Sequence, residues 1–448
     1  MKKNNQKSFR KENWDERSIY LILPIKIIGM ALNYVWILFF VIGLIIALFK
    51  LIVFHDYDIF KKLVEGIFDA SKSSVLDIGL PLTGAMVFFM GLMNIGEKAG
   101  AVNFLARILN PFMKRIFPEV PDKHPAMGQM VMNFSANMLG LDNAATPFGL
   151  KAMESLQTLN PTKETASNSQ IMFLVLHTSG LTLIPLSIIA YRVSGGSANP
   201  TSVFVPLMLA TTIATIASIV ITGIYQRLRF DKVLIFWLLG ITASIVLFAM
   251  FINGLPSQKE VIQPSLFTKE TFSNVLGNMI LFLIISTFII GGFIKKVNVF
   301  DAFIEGAKQG WDVIIKVIPY LVGLLVAIRV FRDSGALETI INGISWCFIQ
   351  LGVTSEFVPA LPVAIMRPFS GGGSRGLMLD IFKTYGADSF IGQLASTFQG
   401  SADTTFYIIA LYFGSVGIKK VRYAIWAGML ADVLGVIAAI FIAYIFFK

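Results

Sequence analysis

Long apolar runs without a charged side chain dominate this chain of 448 residues. They cover residues 78–96, 203–226, 233–255 and 276–294. A helix of about 20 such residues crosses the roughly 30 Å hydrocarbon core of a bilayer. With 55% hydrophobic and only 14% charged residues, the composition also differs strongly from that of soluble domains. The sequence therefore predicts an all-α, polytopic integral membrane protein whose first partner is the lipid bilayer.

The basic net charge of +10 has a membrane explanation. Most of the Lys and Arg residues lie in short segments beside the apolar runs, as they do in loops that stay on the cytoplasmic side. We therefore predict no nucleic-acid partner. The tail 1–30 is basic and long, and no small-residue cleavage site follows its first apolar run, so we expect a cytoplasmic N-terminus.

Two parts of the chain resemble each other. The stretch "NSQIMFLVLHTSGLTLIPLSIIA" aligns with "DSFIGQLASTFQGSADTTFYIIA" at one constant shift, which pairs Gly180 with Gly400. Residues 98–123 of the first copy carry five Lys or Arg residues, whereas the corresponding part of the second copy has none between Arg332 and Arg367. By the positive-inside rule, these stretches face opposite sides of the membrane. The sequence thus predicts two inverted repeats.

Counting the crossings gives a domain plan. The first helix lies near 36–49, an interfacial amphipathic piece near 57–73 precedes the span 78–96, and a final span covers 424–447. The helix 233–255 is an extra crossing that permits the inversion. The predicted domains are a tail at 1–30, a first repeat at 31–226, a linker at 227–274 and a second repeat at 275–448.

Polar breaks interrupt the apolar pattern twice in each repeat. Residues 124–158 read as a re-entrant hairpin bent at "GLDNAATPFG", and residues 167–191 as a helix broken near Ser179, Gly180 and Pro185. Residues 356–385 bend at "RPFSGGGSRG", and residues 388–414 break at "FQGSADTT". Inverted repeats with discontinuous helices are typical of secondary transporters, whose sites lie at mid-membrane between the repeats. Irregular backbone at that depth must be buried in protein or line a wet cavity.

The candidate site residues of the first repeat share a polar side chain near a break. They are Asn133, Asn137, Asp142, Asn143 and Thr146 in the hairpin and His177, Thr178 and Ser179 in the broken helix. Their amides, hydroxyls and carboxylate can hold a polar solute or an ion. The alternative is that they cap half-helices and tie the hairpin to its neighbours. His177 either titrates or donates to solute, or is hydrogen-bonded locally.

The second repeat adds its own candidates, which are Arg367, Arg375, Gln399, Ser401, Asp403 and Thr404. Asp403 stands out because an ionisable residue at this depth is expensive and marks a functional site by default. It either binds a coupling cation or proton, or neutralises Arg367 or Arg375. The glycines 371–373 lack the Lys-Ser/Thr that a phosphate loop requires, so we expect them to permit a tight turn.

Enzyme and metal signatures are missing from the sequence. It contains neither H-E-x-x-H nor G-x-S-x-G, and its three histidines are dispersed. The single cysteine, Cys347, excludes disulfides within the chain and is expected to serve packing. We therefore predict no enzyme, no cofactor and no metal site. An intramembrane hydrolase assembled from Ser, His and Asp of both halves stays open as an alternative.

Several long blocks resemble a known family. "NMLGLDNAATPFGLKAMESLQ" resembles the spore maturation proteins A, and "RVFRDSGALE", "LPVAIMRPFSGGGSRG" and "DSFIGQLASTFQGSADTTFYIIALYFGSVGIKK" resemble the spore maturation proteins B. Both belong to the nucleoside recognition, or Gate, family, which has a distant likeness to concentrative nucleoside transporters. The resemblance implies a multi-pass protein of the bacterial inner membrane with two Gate domains. It implies no particular substrate.

Two functions fit these features. The first is a secondary-transporter-like protein for a small polar solute, nucleoside-like or ionic. The alternative is a non-transporting scaffold or sensor of an envelope or spore maturation process, with a sealed centre. The small-residue stretches "GGFI" and "AGMLADVLG" suit either helix contacts within the chain or a homo-oligomer. A polar cavity between the halves would favour transport.

Overall fold

The computed structural model describes residues 31–121, 123–228, 230–256 and 268–448. Within these ranges, nothing is described of the side chains at positions 31, 32, 142–144, 269, 270, 273 and 274. The predicted tail 1–30 and most of the loop 256–271 lie outside the described residues. The described chain is almost entirely helical, and seven of its helices are long and apolar enough to cross a membrane. The predicted fold class is confirmed.

Among the described residues, the first half has nine α-helices, and one extra helix separates it from the second half. They are α1 (Ala31–Val53), α2 (Ile59–Ser73), α3 (Leu80–Lys98), α4 (Ala101–Ile116), α5 (Pro125–Met138), α6 (Asp142–Leu159), α7 (Asn168–Thr178), α8 (Leu186–Ser194) and α9 (Phe204–Gln226). The extra helix is α10 (Lys232–Asn253).

The second half repeats this order. Its helices are α11 (Lys269–Ile294), α12 (Val299–Asp333), α13 (Ala336–Gln350), α14 (Leu361–Met366), α15 (Gly371–Tyr385), α16 (Phe390–Gly400), α17 (Thr405–Ser415) and α18 (Ala424–Phe447). In this order, α12 takes the place of α2 and α3 together. Cys347 is exposed on α13, so the expectation that it serves packing is wrong.

The interfacial piece predicted near 57–73 is not a separate element. A π-helical segment, Ser74–Gly79, joins α2 and α3 into one helix of 40 residues. The buried face of α2, which includes Ile59 and Leu63, packs on protein, and its Gly66 lies against Arg329 and Asp333 of α12, whereas its charged residues are exposed. The helix therefore has no reason to turn at the end of its amphipathic part.

The long helices of the two halves run antiparallel. Near the end of α3, the side-chain amide of Asn94 donates to the carbonyl oxygen of Ala302, near the start of α12, at 2.7 Å. At the far end, Gly66 of α2 lies against Arg329 of α12. The end of the first long helix thus meets the start of the second, and the start of the first meets the end of the second. This is the packing expected of two oppositely oriented copies. The two repeats are therefore inverted.

The closing helices of the halves, α9 and α18, also pack antiparallel. A Cβ added at Gly435 of α18 would lie 3.2 Å from the Cβ of Ala214 on α9, while Phe447 at the end of α18 packs against a cluster that includes Val203, just before α9, and Leu207. The glycines of "GGFI" and "AGMLADVLG" thus make close contacts inside the chain. Gly292 of the first stretch faces Ile95 of α3.

The helices break where the sequence predicts. Residues 139–141 separate α5 from α6, residues 179–185 separate α7 from α8, residues 367–370 separate α14 from α15, and residues 401–404 separate α16 from α17. Gly140 at the first break and Gly180 at the second adopt positive φ angles of 72° and 62°. Glycine populates this region without steric cost, so these positions let the chain reverse or kink tightly.

Candidate solute site

The breaks of both halves meet through backbone hydrogen bonds. The N–H of Asp403 donates to the carbonyl oxygen of Thr178 at 2.7 Å, which ties the break of one half to that of the other. Within the halves, the N–H of Leu183 donates to Met138 at 2.8 Å and that of Phe406 to Pro368 at 3.0 Å. Irregular backbone is thereby satisfied inside the protein, as burial in a membrane demands.

A cavity of about 360 Å³ lies where these breaks converge. Both halves line it, because Asn137 and His177 come from the first half and Arg367 and Asp403 from the second. The candidates that the structure brings to this cavity are Asn137, Thr146, His177, Arg367, Arg375, Gln399, Asp403 and Thr404. A volume at the lower end of the usual range for ligand pockets suits a small solute.

Asp403 is held by long contacts rather than by a tight ion pair. Its carboxylate lies 3.7 Å from Nη2 of Arg367 and 3.8 Å from Nε2 of His177. The N–H of Thr404 donates to its Oδ1 at 2.7 Å, which fixes the side chain at the start of α17. About a third of the side chain is exposed. A carboxylate in this position keeps acceptor capacity that a solute or cation can use.

The two arginines surround the start of α15. Nε of Arg367 donates to the carbonyl oxygen of Ala402 at 2.7 Å, and Nη1 of Arg375 donates to the hydroxyl of Tyr191 at 3.3 Å. Gly371 lies beside Arg367, since an added Cβ would come within 2.8 Å of Nη1 of that residue. A helix N-terminus carries partial positive charge, so the guanidinium groups and α15 together favour an anionic group.

His177 is buried and held by the hairpin. Its Nδ1 lies 3.0 Å from Oδ1 of Asn133 and 3.1 Å from Nδ2 of Asn137, and its Nε2 lies 3.4 Å from the hydroxyl of Tyr412. Asn133 also donates from Nδ2 to the carbonyl oxygen of Ala145 at 2.6 Å. Asn133 therefore orients His177 from behind the cavity and links the two arms of the hairpin.

Some sequence candidates do not line the cavity and instead close local hydrogen bonds. The hydroxyls of Thr178, Ser179 and Ser401 donate to carbonyl oxygens three residues earlier, at 3.0, 2.7 and 3.1 Å. This is the capping role that the sequence left open. The side chains of Asp142 and Asn143 lie outside the described residues, although α6 begins at Asp142. A solute-binding role for any of the candidates stays a prediction.

The cavity also has polar residues that the sequence reasoning missed. Asn94, Glu97, Tyr191, Gln309 and Tyr407 line it. Asn94 lies within a predicted span, so a polar residue in an apolar run was the available signal. Gln309 lies on α12, in a part of the second repeat for which the sequence predicted no site residue. Contact between α3 and α12 brings both residues to the site.

These features define a class: an α-helical membrane protein whose two inverted repeats bring broken helices around a central polar cavity. A family model described as nucleoside recognition, the Gate family, matches residues 80–198 and 314–419, so the chain belongs to this family.

The chain is similar to two proteins of Bacillus subtilis (strain 168). Spore maturation protein B is 47% identical over 165 residues, which cover 37% of this chain and 91% of that protein. Spore maturation protein A is 39% identical over 200 residues, which cover 45% of this chain and 98% of that protein. The two similarities cover different parts of the chain, consistent with a fusion of two such proteins.

Proposed function

We propose that this protein is a secondary carrier of a small polar solute, nucleoside-like or ionic, in the bacterial inner membrane, with a cytoplasmic N-terminus and no catalytic activity. The observation that carries the proposal is the polar cavity of about 360 Å³ between the breaks of two inverted repeats. Such breaks expose half-helix ends, which in secondary carriers hold solutes and coupling ions. Membership of the nucleoside recognition family and similarity to spore maturation proteins A and B support the same reading.

The cavity chemistry favours a solute with an anionic group and hydrogen-bonding groups. Arg367 and Arg375 offer guanidinium donors, and the amide of Asn137 offers both a donor and an acceptor. Oε1 of Gln399 is buried and has no hydrogen-bond partner among the described residues. A buried acceptor without a partner is costly, so a solute hydroxyl or N–H placed there would be stabilising.

Movement of one repeat against the other would alternate access to this site. The antiparallel contact of α3 with α12 extends along both helices and links the halves directly. The break-to-break hydrogen bond from Asp403 to Thr178 connects them again at the cavity. Rigid-body rocking of one half would open the cavity to one side at a time. The glycines of "GGFI" and "AGMLADVLG" pack within the chain, so these stretches do not support a homo-oligomer.

A ligand screen tests this function directly. The purified full-length protein would be heated with nucleosides, nucleobases, small organic anions and metal ions, and compounds that raise its melting temperature would be tested for uptake into proteoliposomes. We expect Asp403→Asn to abolish uptake while the protein stays folded. Asp69→Asn, the same change at an exposed position of α2, is the matched control and should transport normally. Normal uptake by the Asp403 variant would remove this residue from the mechanism.

One contact favours the alternative of a non-transporting scaffold or sensor. Arg367 lies 3.7 Å from Asp403, so these two charges partly neutralise each other across the centre. A scaffold needs no more than this balance. If no compound stabilises the protein and proteoliposomes show no uptake, the carrier proposal is wrong and the scaffold reading takes its place.

A further inference from the structure

Asp432 is a buried carboxylate within a membrane-spanning helix, and the cavity site does not include it. It lies near the middle of α18 and is only 6% exposed. Ionisable side chains in spanning helices are expensive to bury and mark ion or proton pathways. The function described above gives this residue no task.

The packing around Asp432 directs its carboxylate to the break at 401–404. The hydroxyl of Thr405 donates to Oδ2 of Asp432 at 2.7 Å. About one helical turn to either side, a Cβ added at Gly428 would lie 2.7 Å from Cγ2 of Thr405, and one at Gly435 would lie 3.6 Å from the carbonyl oxygen of Ser401. The two glycines let α18 approach the break closely, so Asp432 contacts the break rather than lipid.

The corresponding position of the other repeat shows that packing needs no carboxylate. The shift that aligns the two repeats also aligns the first residues of α9 and α18. In this alignment, Thr212 of the first repeat corresponds to Asp432 of the second. Thr212 satisfies itself by donating to the carbonyl oxygen of Met208 at 2.7 Å. A hydroxyl thus serves at this position in one half. The carboxylate of the second half is an added feature with a cost, which calls for a function.

The charges near Asp432 connect it to the cavity. Arg367 and Asp403, which both line the cavity, lie within electrostatic reach of Asp432. Among the described side chains of the other elements packed against α18, the titratable groups have partners elsewhere or lie at the cavity. His177 faces Asp403, Tyr412 lies beside Asn133, Tyr407 lines the cavity, Tyr225 stacks on Tyr423, and Lys232 is exposed at the start of α10.

We infer that Asp432 is the proton-binding site of this protein and that its proton is coupled to an anionic group in the cavity. The inference rests on the proposed carrier function. When both carboxylates are ionised, Asp403 and Asp432 together oppose the positive charge of Arg367. A proton that binds a carboxylate oxygen of Asp432 removes one negative charge, while Thr405 continues to donate to Oδ2. Arg367 then attracts the anionic group more strongly.

This coupling is reciprocal. A proton on Asp432 favours the anionic solute, and by linkage the bound solute favours the proton. Consecutive residues connect the two sites, because Asp403 and Thr404 line the cavity and Thr405 contacts Asp432. The two ligands therefore travel together, and an inward proton gradient drives accumulation of the solute.

Infrared spectroscopy tests proton binding without knowledge of the solute. The full-length protein in lipid nanodiscs would be titrated with acid while the carbonyl band of protonated carboxyl groups is recorded. We expect a titrating component that Asp432→Asn abolishes and that Asp69→Asn leaves intact. Asp403→Asn should keep the component but shift its midpoint, because the charge at residue 403 acts on Asp432. An identical titrating component in Asp432→Asn would overturn the inference.

A second variant guards against misfolding of the first. Thr405→Val keeps the carboxylate and removes the hydroxyl that donates to it, so the carbonyl band of Asp432 should change in frequency and midpoint. An unchanged band would show that the titrating group lies elsewhere. The matched control is Thr212→Val, which alters the corresponding position of the first repeat and should leave the band unchanged.

Uptake experiments separate this inference from the carrier proposal. With a solute found in the thermal screen, Asp432→Asn should lose accumulation driven by a proton gradient yet retain solute binding. If the wild-type protein transports independently of the gradient and no carboxyl band titrates, the proton site is wrong while the carrier stands. If the band titrates but nothing is transported, the carrier is wrong while the proton site stands.

Discussion

The backbone N–H of Asp403 donates to the carbonyl oxygen of Thr178 across a distance of 2.7 Å. These residues are far apart in sequence and belong to opposite repeats, yet each lies where a helix breaks. The hydrogen bond uses a carbonyl at the end of α7 that has no partner within the helix. Interrupted helices of one half are thus completed by those of the other.

Substitution of Gly140 tests whether the break in the hairpin depends on the close approach of the backbone at Gly140 to Ile184. An added Cβ would lie 2.8 Å from the carbonyl oxygen of Ile184, and φ at this position is 72°. We expect Gly140→Ala to lower the melting temperature and displace the hairpin. The control is Gly196→Ala, where φ is 76° and nothing lies within 4 Å of the added Cβ, so it should incur only the backbone cost of about 1–2 kcal/mol. Equal losses in both variants would contradict the steric argument.

Arg192 and Asp388 test the connection between the halves at one end of the bundle. The buried guanidinium of Arg192 donates to Oδ1 of Asp388 at 2.6 Å and to the carbonyl oxygen of Ala387 at 2.7 Å. Removing one partner of a buried ion pair costs about 3–5 kcal/mol, because a buried charge loses its counter-charge. Asp388 is partly exposed, so the stability lost in Asp388→Asn should be at or below the lower end of this range. Its unfolding midpoint in denaturant measures the effect.

The exposed pair of Glu164 and Lys419 is the natural control for that experiment. Lys419 donates to Oε1 of Glu164 at 2.6 Å, and this hydrogen bond holds the pKa of the Glu164 carboxyl below its usual range. Its stabilisation is therefore present above the unfolded pKa and is lost as pH falls through the lowered value. Because solvent screens both groups, Glu164→Gln should leave the denaturant midpoint nearly unchanged at neutral pH. A loss as large as that of Asp388→Asn would refute the distinction between the two ends.

Tyr191 tests the role of Arg375 in solute binding. Its hydroxyl accepts from Nη1 of Arg375 at 3.3 Å, and the guanidinium carbon lies 5.9 Å from the ring centroid. Tyr191→Phe keeps the ring and removes the acceptor. A hydrogen bond to a charged group contributes about 1.5–3 kcal/mol, and this one is long, so the affinity for a solute from the screen should fall roughly tenfold. Tyr225 is a partly exposed tyrosine stacked on Tyr423, so Tyr225→Phe should leave the affinity for the solute unchanged.

Cysteine labelling tests the predicted orientation. In a Cys347→Ser background, single cysteines at Lys295 and at Val353 would be treated with an impermeant maleimide in intact cells and in inverted vesicles. Both positions are exposed, at opposite ends of the second repeat's spans. The positive-inside rule predicts that Lys295 reacts from the cytoplasmic side and Val353 from the outside. Reaction of both from the same side would rule out the proposed topology.

Much of the fold was predictable because apolar runs and polar breaks are local features. The breaks near Gly180 and at 401–404 appear where the sequence places them, since glycine and clustered polar residues cannot continue a helix in lipid at low cost. The piece at 57–73 misled for an equally physical reason. Amphipathicity shows that one face of a helix is buried, but it does not distinguish burial at a membrane surface from burial against a partner helix, as Gly66 is buried against Arg329 and Asp333.

The candidate site was only partly predictable. His177 and Asp403 reach the cavity, whereas Ser179 and Ser401, next to the same breaks, turn to nearby carbonyls. Irregular backbone has no fixed period, so sequence spacing does not tell which side chains face inward. The sequence did not predict Gln309 as a site residue, because contact between α3 and α12, rather than any break, brings it to the cavity.

The sequence by itself determined the membrane class, the repeated order of helices, their inversion and the places where they break, because hydrophobic length, charge bias and helix propensity act over short stretches. Only the tertiary structure decided which polar groups share one cavity and which close their own hydrogen bonds. It also decided that Asp432 lies against Thr405. Such pairings depend on how closely two helices approach, and glycines such as Gly428 and Gly435 set that distance only once the chain is packed.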